Sequence, residues 1–298
     1  MHPCTLGKRL NTLHLSRSAE QLVFSIEALL DWLDSDDSLR NPANLRNRSA
    51  ALDRLETLLF DNAPSTLQDR ANTLRTEFET LDAALYATIR DQVQAGNGAA
   101  ALQPFLDDPD EDDTDRYDYR DELVSGVLQL DAPATASTGL EPDSVFYQPT
   151  PARHLFALLR QVTLDETDVL MDLGAGLGHV PLIVAACTPA RCIGIEIEPA
   201  YVDIAERCAA SLHLTNATFR CDDARDADFS TTTVFYLYTP FRGAMLRTVL
   251  DRLRHEAAKR PIRVCSYGPV TQTLVNEAWL APVGDVSPSQ LARFRSNG

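Results

Sequence analysis

Two kinds of hydrophobic pattern divide the chain. In the first half, leucines and other apolar residues recur every three or four positions, which is the spacing of one helix face. This spacing predicts three helices, over residues 18–34, 45–59 and 67–89. Such stripes are typical of the core of a helical bundle. They leave the role of the bundle open, because a substrate lid, a dimer interface and a partner platform would all share this pattern.

The second half alternates short apolar runs with helical segments, which is the pattern of a parallel α/β sheet. A helix is predicted from Ala152 to about Val162, with Thr150 as its N-cap. Two late runs, at 279–283 and 291–295, predict a closing antiparallel hairpin. Ahead of that hairpin, five strands are predicted within residues 168–172, 191–199, 217–224, 233–238 and 262–269.

An unpatterned stretch of small residues and proline follows Asp131 and marks the predicted domain boundary. We therefore predict an acidic, all-helical domain over residues 1–130, a linker over 131–144 and an α/β domain over 145–298. Just ahead of the boundary, residues 107–122 carry ten acidic side chains. The EF-hand pattern fails there because the turn glycine is missing. A solvated acidic loop is predicted instead, and no metal site.

Charge and composition narrow the classes of partner. The net charge is −16, and residues 1–150 hold 27 Asp/Glu against 12 Lys/Arg, whereas residues 151–298 hold 16 against 15. An acidic half disfavours a phosphate-backbone partner and favours a neutral or cationic one. No apolar run approaches the roughly 18 residues that cross a membrane. The six cysteines show no Cys-x-x-Cys spacing, so we expect a cytoplasmic protein that is neither membrane-bound nor exported.

The segment after the first strand of the sheet carries the candidate chemistry. Asp172 is followed by three alternating glycines, Gly174, Gly176 and Gly178, and then by an apolar helix. Glycine permits positive φ and close approach of the backbone to a ligand, and the first N–H groups of the helix face the same crevice. The dinucleotide fingerprint requires glycine where His179 stands, and the Asp172 carboxylate would repel a pyrophosphate. The same carboxylate can accept from the ammonium of an amino-acid ligand.

This segment resembles motif I of the class I S-adenosylmethionine (SAM)-dependent methyltransferases. Two further acidic strand ends support the resemblance, since Glu196 closes the second strand and Asp222-Asp223 close the third. A carboxylate at the position of Glu196 can accept both ribose hydroxyls, whereas Glu198 is read either as a further acceptor or as the start of the next helix. In the family the third acidic end lies beside the adenine. Asp223-Ala224 best matches the usual pair there, and which carboxylate faces the exocyclic amine stays open.

The resemblance covers residues 145–298 and implies a seven-stranded, mostly parallel Rossmann-like sheet with SAM as cofactor. Among relatives, the cofactor motifs most resemble the non-SET histone-lysine methyltransferases and uncharacterised bacterial proteins. The acceptor-site residues of that group are not found here, so histone specificity does not carry over. The fourth strand ends in Tyr238-Thr239-Pro240-Phe241, where amine methyltransferases often carry Asn/Asp-Pro-Pro-aromatic. The missing side-chain amide weakens the inference of an amine substrate.

The predicted contacts follow from these motifs. A segment ahead of motif I often closes over the methionine end of the cofactor, which makes Tyr147 and Thr150 candidates. Tyr238 is read either as a hydrogen-bonding group for substrate or cofactor or as a strand-end aromatic. No catalytic residue is assigned, and Tyr238 and Tyr147 are the candidates. The predicted cofactor-binding set is Tyr147, Thr150, Asp172, Gly174, Ala175, Gly176, Gly178, Glu196, Ile197, Asp222, Asp223, Ala224 and Tyr238.

The sequence therefore predicts a SAM-dependent methyltransferase that acts on a small molecule or a protein side chain. A cationic acceptor and a homodimer formed through the helical region are left open. One alternative is a nucleic-acid methyltransferase, which the acidic half and the missing Asn/Asp-Pro-Pro-Tyr disfavour. The other is a SAM-binding or interaction protein without catalysis.

Overall fold

The computed structural model describes residues 25–59, 64–107, 117–131, 147–239 and 241–297 of the 298-residue chain. The chain divides into two units, Met1–Tyr86 and Ala87–Gly298. This division lies upstream of the predicted boundary, because later helices of the acidic half belong to the second unit. Residues 132–144 of the predicted linker and 108–116 of the acidic run lie outside the described residues, so both interpretations stay predictions.

The first unit is helical, as the apolar spacing predicts. Residues 25–35 form α1 as far as it is described, and the predicted helix start at residue 18 lies outside the described residues. Two 3-10 turns, Asp37–Arg40 and Pro42–Asn44, lead into α2 (Leu45–Leu58), and α3 (Ser65–Gln94) begins in this unit. The apolar stripes meet in one core, whose buried members include Ile26, Leu30, Leu33, Leu55, Leu74 and Phe78.

A buried ion pair supports the turns of the first unit. The Arg48 side chain is fully buried and donates to the Asp82 carboxylate at 2.7 Å and to the carbonyl oxygen of Leu39 at 2.9 Å. Burial raises the pKa of Asp82, although the bond from Arg48 opposes this shift. Because both partners are desolvated, the loss of either one would leave an uncompensated charge.

Helices α4 (Gly98–Leu106), α5 (Tyr119–Leu128) and α6 (Ala152–Gln161) belong to the second unit. Gly98 lies so close to the helix of residues 179–187 that a Cβ atom there would be 2.3 Å from the Ala186 carbonyl oxygen. The Cys208 thiol lies 3.2 Å from the Leu128 carbonyl oxygen, and Arg160 donates to the Leu106 carbonyl oxygen at 2.7 Å. These contacts bind the helices of residues 98–128 to the sheet, although the sequence assigned them to a separate domain.

Among the described residues, seven strands form one sheet in the order β3-β2-β1-β4-β5-β7-β6. The first five are parallel, and β7 runs antiparallel to both β5 and β6. The predicted α/β class, the mostly parallel sheet and the closing hairpin are confirmed. The strands are β1 (Val169–Leu173), β2 (Arg191–Glu196), β3 (Ala217–Cys221), β4 (Val234–Tyr238), β5 (Arg263–Tyr267), β6 (Leu280–Pro282) and β7 (Ala292–Ser296).

The strand order positions the functional crevice. The central strand β1 is buried along its whole length, and the chain proceeds from it to β2 on one side and returns to β4 on the other. Ligands of open α/β sheets bind at the carboxyl ends of strands beside such a reversal. Within the described residues, no helix has both the length and the apolar character needed to cross a membrane. The connecting helices are α7 (His179–Cys187), α8 (Pro199–Ser211), α9 (Gly243–Ala257) and α10 (Val270–Val275), of which α10 was not predicted.

Candidate functional site

A cavity of about 660 Å³ opens at the carboxyl ends of the parallel strands. Gly176 and Gly178 do not line it, although the sequence predicted them as cofactor contacts. The other predicted residues come together on its wall: Tyr147, Thr150, Asp172, Gly174, Ala175, Glu196, Ile197, Asp222, Asp223, Ala224 and Tyr238. The strand ends therefore bring together side chains that are far apart in the sequence.

The glycine loop between β1 and α7 requires glycine for two reasons. Gly176 and Gly178 have φ values of 54° and 86°, a region that other residues rarely adopt. A Cβ atom on Gly176 would lie 2.1 Å from the Tyr147 ring, and one on Gly178 would lie 2.6 Å from the Phe219 ring. These two glycines thus shape the loop by admitting aromatic rings, while Gly174 lines the cavity.

Glu196 ties the ends of β1 and β2 together. Its Oε2 atom accepts from the Gly176 N–H at 2.8 Å, and its Oε1 atom accepts from the N–H groups of Ile197 and Glu198 at 2.8 and 2.9 Å. A carboxylate offers about four acceptor positions, so roughly one remains, on Oε2. Glu198 stands at the N-cap of α8 without capping it through its side chain, and this residue lines the cavity too.

Asp172 is a carboxyl group without a cation. It is 4% exposed, and its register partners are Gly194 on β2 and Tyr236 on β4. Burial and, second, the charge of Glu196 raise the pKa of Asp172 to about 8. No cationic side chain among the described residues offsets these effects. The group therefore suits a ligand that brings a positive charge.

The two carboxylates after β3 have different partners. Both oxygens of Asp223 accept from Arg225, at 3.0 and 2.6 Å, and this pairing lowers the pKa of Asp223. Asp222 accepts only from the neighbouring Asp223 N–H, at 2.9 Å on Oδ1. Its Oδ2 atom has no partner among the described residues. Asp222 is thus the carboxylate with a free acceptor, although the sequence pattern matched Asp223 better.

Tyr147 is held over the glycine loop by a histidine that sequence reasoning did not include in the site. The Tyr147 hydroxyl is 3.1 Å from Nδ1 of His179, and its ring lies 5.2 Å from that of Tyr201. His179 begins α7 and lines the cavity, and burial lowers its pKa to about 4. It is therefore neutral at pH 7. The sequence signal that could have assigned His179 to the site is its position directly after the last glycine of the loop.

The segment that carries Tyr147 is attached to α5. The Tyr117 hydroxyl donates to the Pro149 carbonyl oxygen at 2.9 Å, and the Asp121 carboxylate accepts from the Ala152 N–H at 2.7 Å. The prediction that Thr150 caps α6 was wrong, because Pro151 is the N-cap and the first N–H of the helix, that of Ala152, donates to Asp121 instead. Thr150 instead faces the hydroxyl of Tyr236. The fixed φ of proline already sets the helix start, which leaves the threonine hydroxyl available for another contact.

Two groups within the lining differ in charge, and we name them by their chemistry. The acidic side consists of Asp172, Glu196, Glu198, Asp222 and Asp223, at the ends of β1 to β3. The uncharged side lies at the ends of β4 and β5 and at the start of α9, and it consists of Tyr238, Thr239, Phe241, Met245 and Pro269. Ile197, which is 48% exposed, and Ala224 add apolar surface beside the acidic side. Among the lining residues that the structure describes, none is lysine or arginine.

The uncharged side is built on a stack of aromatic rings. The Tyr238 and Tyr267 rings lie 4.8 Å apart at 32°, and the Tyr267 and His154 rings lie 3.7 Å apart at 28°. The Thr239 hydroxyl donates to the Tyr267 carbonyl oxygen and accepts from the Val270 N–H, each at 3.3 Å. The threonine is therefore engaged with the backbone, and Tyr238 supplies the ring that faces the cavity. Within the described ranges, no cluster of His, Cys, Asp and Glu is arranged to hold a metal ion.

This chain is similar to several known proteins. Residues 143–232 match the model of the family described as Histone methylation protein DOT1. An RNA methyltransferase from Salinibacter ruber, solved with S-adenosyl-L-homocysteine, is 29% identical over 50% of this chain and 92% of its own, with a TM-score of 0.41. An rRNA methylase from Streptococcus thermophilus is 10% identical over 51% of this chain and 97% of its own, with a TM-score of 0.35.

A third similar structure is the precorrin-6y C5,15-methyltransferase from Geobacter metallireducens, which is 17% identical over 51% of this chain and 90% of its own, with a TM-score of 0.38. No curated protein matches the chain. The family match and the strand order together confirm the predicted class I methyltransferase fold. The names of these proteins give no support to the expectation against a nucleic-acid acceptor, which stays a prediction.

Proposed function

We propose that this protein, whose second unit has the class I methyltransferase fold, binds SAM in the cavity and transfers its methyl group to a small molecule or a protein side chain. The observation that carries the proposal is the convergence of Asp172, Glu196 and Asp222 on one cavity beside the glycine loop. These are the three acidic strand ends that the sequence motifs indicate. Each ends a different strand of the parallel sheet, in the order β1, β2, β3.

The chemistry of these residues fits the chemistry of SAM. Burial and, second, the charge of Glu196 raise the pKa of Asp172 to about 8, and a ligand ammonium would pair with this carboxyl group. Glu196 keeps about one acceptor position for a ribose hydroxyl. Asp222 has a free oxygen for the exocyclic amine of adenine, while Ile197 and Ala224 offer apolar surface to the face of the base.

The chain's own residues then have to orient the donor and exclude water. Tyr147, held by His179, covers the glycine loop and closes one wall of the cavity. When bound, SAM would supply an electrophilic methyl group: the acceptor's lone pair would form the new bond to carbon, the carbon–sulfur pair would stay on sulfur, and any proton on the attacking atom would be released. Reactions of this kind depend mainly on alignment. A specialised acid or base is therefore required only for acceptors that hold their proton tightly.

Calorimetric titration of the full chain with S-adenosylhomocysteine tests the cofactor assignment. We expect micromolar binding, and we expect Glu196→Gln to weaken it about 30-fold, which corresponds to about 2 kcal/mol for charge-assisted bonds. Glu166→Gln is the matched control, because Glu166 is exposed and does not line the cavity. An absence of binding at high micromolar ligand would refute the proposal, and equal affinities of the two variants would refute the role of Glu196.

A labelling experiment tests methyl transfer, which binding alone does not show. Methyl-labelled SAM, incubated with the protein and an extract of its source cell, should label the small-molecule or the protein fraction. Label confined to the nucleic-acid fraction would establish the nucleic-acid alternative instead. Tight binding without label in any fraction would favour the non-catalytic alternative.

A further inference from the structure

We propose that the methyl acceptor is an uncharged, planar aromatic group that stacks on Tyr238 and is not attached to a phosphate backbone. This inference rests on the proposed function, and it names the substrate class for the same cavity. It starts from the contrast between the acidic side and the uncharged side. The acidic side offers acceptors for the ammonium, the ribose and the adenine amine of SAM, so we assign the acceptor to the uncharged side.

Within the uncharged side there is no charged side chain, and its only aliphatic hydroxyl is engaged. Thr239 gives its hydrogen to the Tyr267 carbonyl oxygen and accepts from the Val270 N–H. Phe241 and Met245 are buried apolar residues, and Pro269 has no side-chain polar atom. A group that lies here therefore gains contact area and stacking, and it gains no ion pair.

Tyr238 is prepared for stacking before any ligand arrives. Tyr267 supports its ring on one side, and Tyr267 is itself supported by His154. Both supporting residues are buried, with exposures of 4% and 5%. A ring that is already immobilised loses little entropy when a second ring stacks on it. Stacked aromatic pairs contribute roughly 0.5–1.5 kcal/mol beyond the area that they bury.

The charges of the cavity argue against two other acceptors. An ammonium gains some attraction from ring faces, but the carboxylates of the acidic side attract it more strongly, so it would compete with the cofactor there. A phosphate has no cation to meet, because none of the described lining residues is lysine or arginine. It would also be repelled by the carboxylates. A neutral ring avoids both problems.

The transfer itself is balanced without any further reactant. A ring nitrogen without a hydrogen, or a ring hydroxyl oxygen, would give the lone pair that forms the new bond to carbon, and the carbon–sulfur electron pair would remain on sulfur as a thioether. With the nitrogen acceptor, the positive charge of the sulfonium passes to the methylated ring. A hydroxyl acceptor gives its proton to water at the open mouth of the cavity.

Probe binding to the protein saturated with S-adenosylhomocysteine tests the proposal. Indole serves as the neutral planar probe and n-butylammonium as the cationic one. We expect indole to bind at least tenfold more tightly. Tyr238→Leu should lower the affinity for indole at least fivefold. Tyr238→Phe should bind indole with an affinity within about twofold of that of the wild type. Tyr86→Leu, a change of the same kind outside the cavity, should leave indole binding unchanged.

The affinity of each variant for S-adenosylhomocysteine shows that its cavity is intact. Tighter binding of n-butylammonium than of indole would overturn the proposal, as would an unchanged affinity for indole in Tyr238→Leu. A single-stranded ten-nucleotide RNA that binds more tightly than indole and depends on Tyr238 would overturn the phosphate-free part. Failure of S-adenosylhomocysteine to bind at all would instead refute the proposed function, so the two failures are distinguishable.

Discussion

The acidic side and the uncharged side of the cavity have equal numbers of residues, but their side chains are held in place in different ways. On the acidic side, backbone N–H groups position the carboxylates: Glu196 accepts from the two N–H groups that follow it and from that of Gly176, and Asp222 accepts from its neighbour. On the uncharged side, Tyr238 depends on rings from β5 and α6. In the part of the cavity that fits the donor, most of these bonds are local in sequence, whereas the part that we assign to the acceptor depends on side chains from distant elements.

This difference suggests how one scaffold can keep its donor and change its acceptor. A loop that carries its own hydrogen bonds tolerates changes elsewhere, because few of its contacts reach distant elements. A stack of three rings from three elements changes whenever one of them is replaced. Four predictions test whether the two sides are as independent as their contacts suggest.

The largest effect should come from the acidic side, through Asp172→Asn. The pKa of Asp172 is about 8 in the folded protein against an ordinary 3.8, so its ionised form is disfavoured by folding. This cost is absent below pH 4 and grows as the pH rises toward 8. We expect Asp172→Asn to raise the free energy of unfolding of the ligand-free protein by about 3 to 5 kcal/mol at pH 8, with a rise in Tm of about 10 °C.

Thermal unfolding of both proteins from pH 5 to pH 9 measures this effect. The difference in Tm should grow with pH and level off above pH 8. The exposed Glu166→Gln should show no such trend. A difference in Tm that does not depend on pH would contradict the assignment of a raised pKa to Asp172.

The second effect concerns the rigidity of the glycine loop on the acidic side. Gly178 and Gly96 have nearly equal φ values, 86° and 80°, but a Cβ atom would meet the Phe219 ring at Gly178 and nothing within 4 Å at Gly96. We expect Gly178→Ala to lower the free energy of unfolding by about 3 kcal/mol and Gly96→Ala by about 1 kcal/mol.

Trp279 fluorescence during urea unfolding can report this difference, because Trp279 packs against the core of the sheet. A Trp32→Phe background removes the only other tryptophan. Equal losses in the two variants would mean that backbone strain alone sets the cost, and that the contact with Phe219 is unimportant.

The third effect separates the two carboxylates after β3. Asp222→Asn should weaken S-adenosylhomocysteine about tenfold, the equivalent of about 1.4 kcal/mol, because it removes a charged acceptor from the site. Asp223→Asn should weaken it at most about threefold, because that carboxylate is already paired with Arg225. Calorimetry on both variants decides between them. A larger loss for Asp223→Asn would restore the interpretation that the sequence pattern favoured.

The smallest effect tests whether Tyr147 contacts the cofactor or the acceptor. Tyr147→Phe removes the bond to His179 and should weaken S-adenosylhomocysteine about fivefold, or about 1 kcal/mol. His179→Leu should act through the same bond, so the double variant should be no weaker than the stronger single one. Additive losses of affinity would show that the two residues act independently. An unchanged affinity for S-adenosylhomocysteine together with a weakened affinity for indole would assign Tyr147 to the acceptor.

Much of the fold was predictable because its causes are local. The apolar run of β1, the glycines after it and the acidic strand ends lie at short, regular spacings, and parallel strands place their carboxyl ends on one edge. Glu196 and Asp172 were therefore assigned to one site from the sequence alone. The same locality explains why the hairpin of β6 and β7 was predicted from two short runs.

The errors and omissions arise where distant elements meet. Thr150 was read as a helix cap because it precedes a proline and a helix, but its hydroxyl faces Tyr236 on a strand that no local pattern connects to it. The helices of residues 98–128 were placed in a separate domain because their charge and apolar spacing continue those of the first half. Their buried contacts are with α6, α7 and α8, and only packing reveals this.

The sequence by itself determined the class of sheet, the glycine loop and the set of acidic strand ends, because spacing along the chain is enough to specify elements and their ends. The tertiary structure alone decided which groups are already engaged. Arg225 neutralises Asp223 and leaves Asp222 free, His179 holds Tyr147, and Tyr267 with His154 fixes Tyr238. A hydrogen-bonding or stacking group can contact only a few partners at once. Which partners it contacts depends on which groups the fold brings close to it.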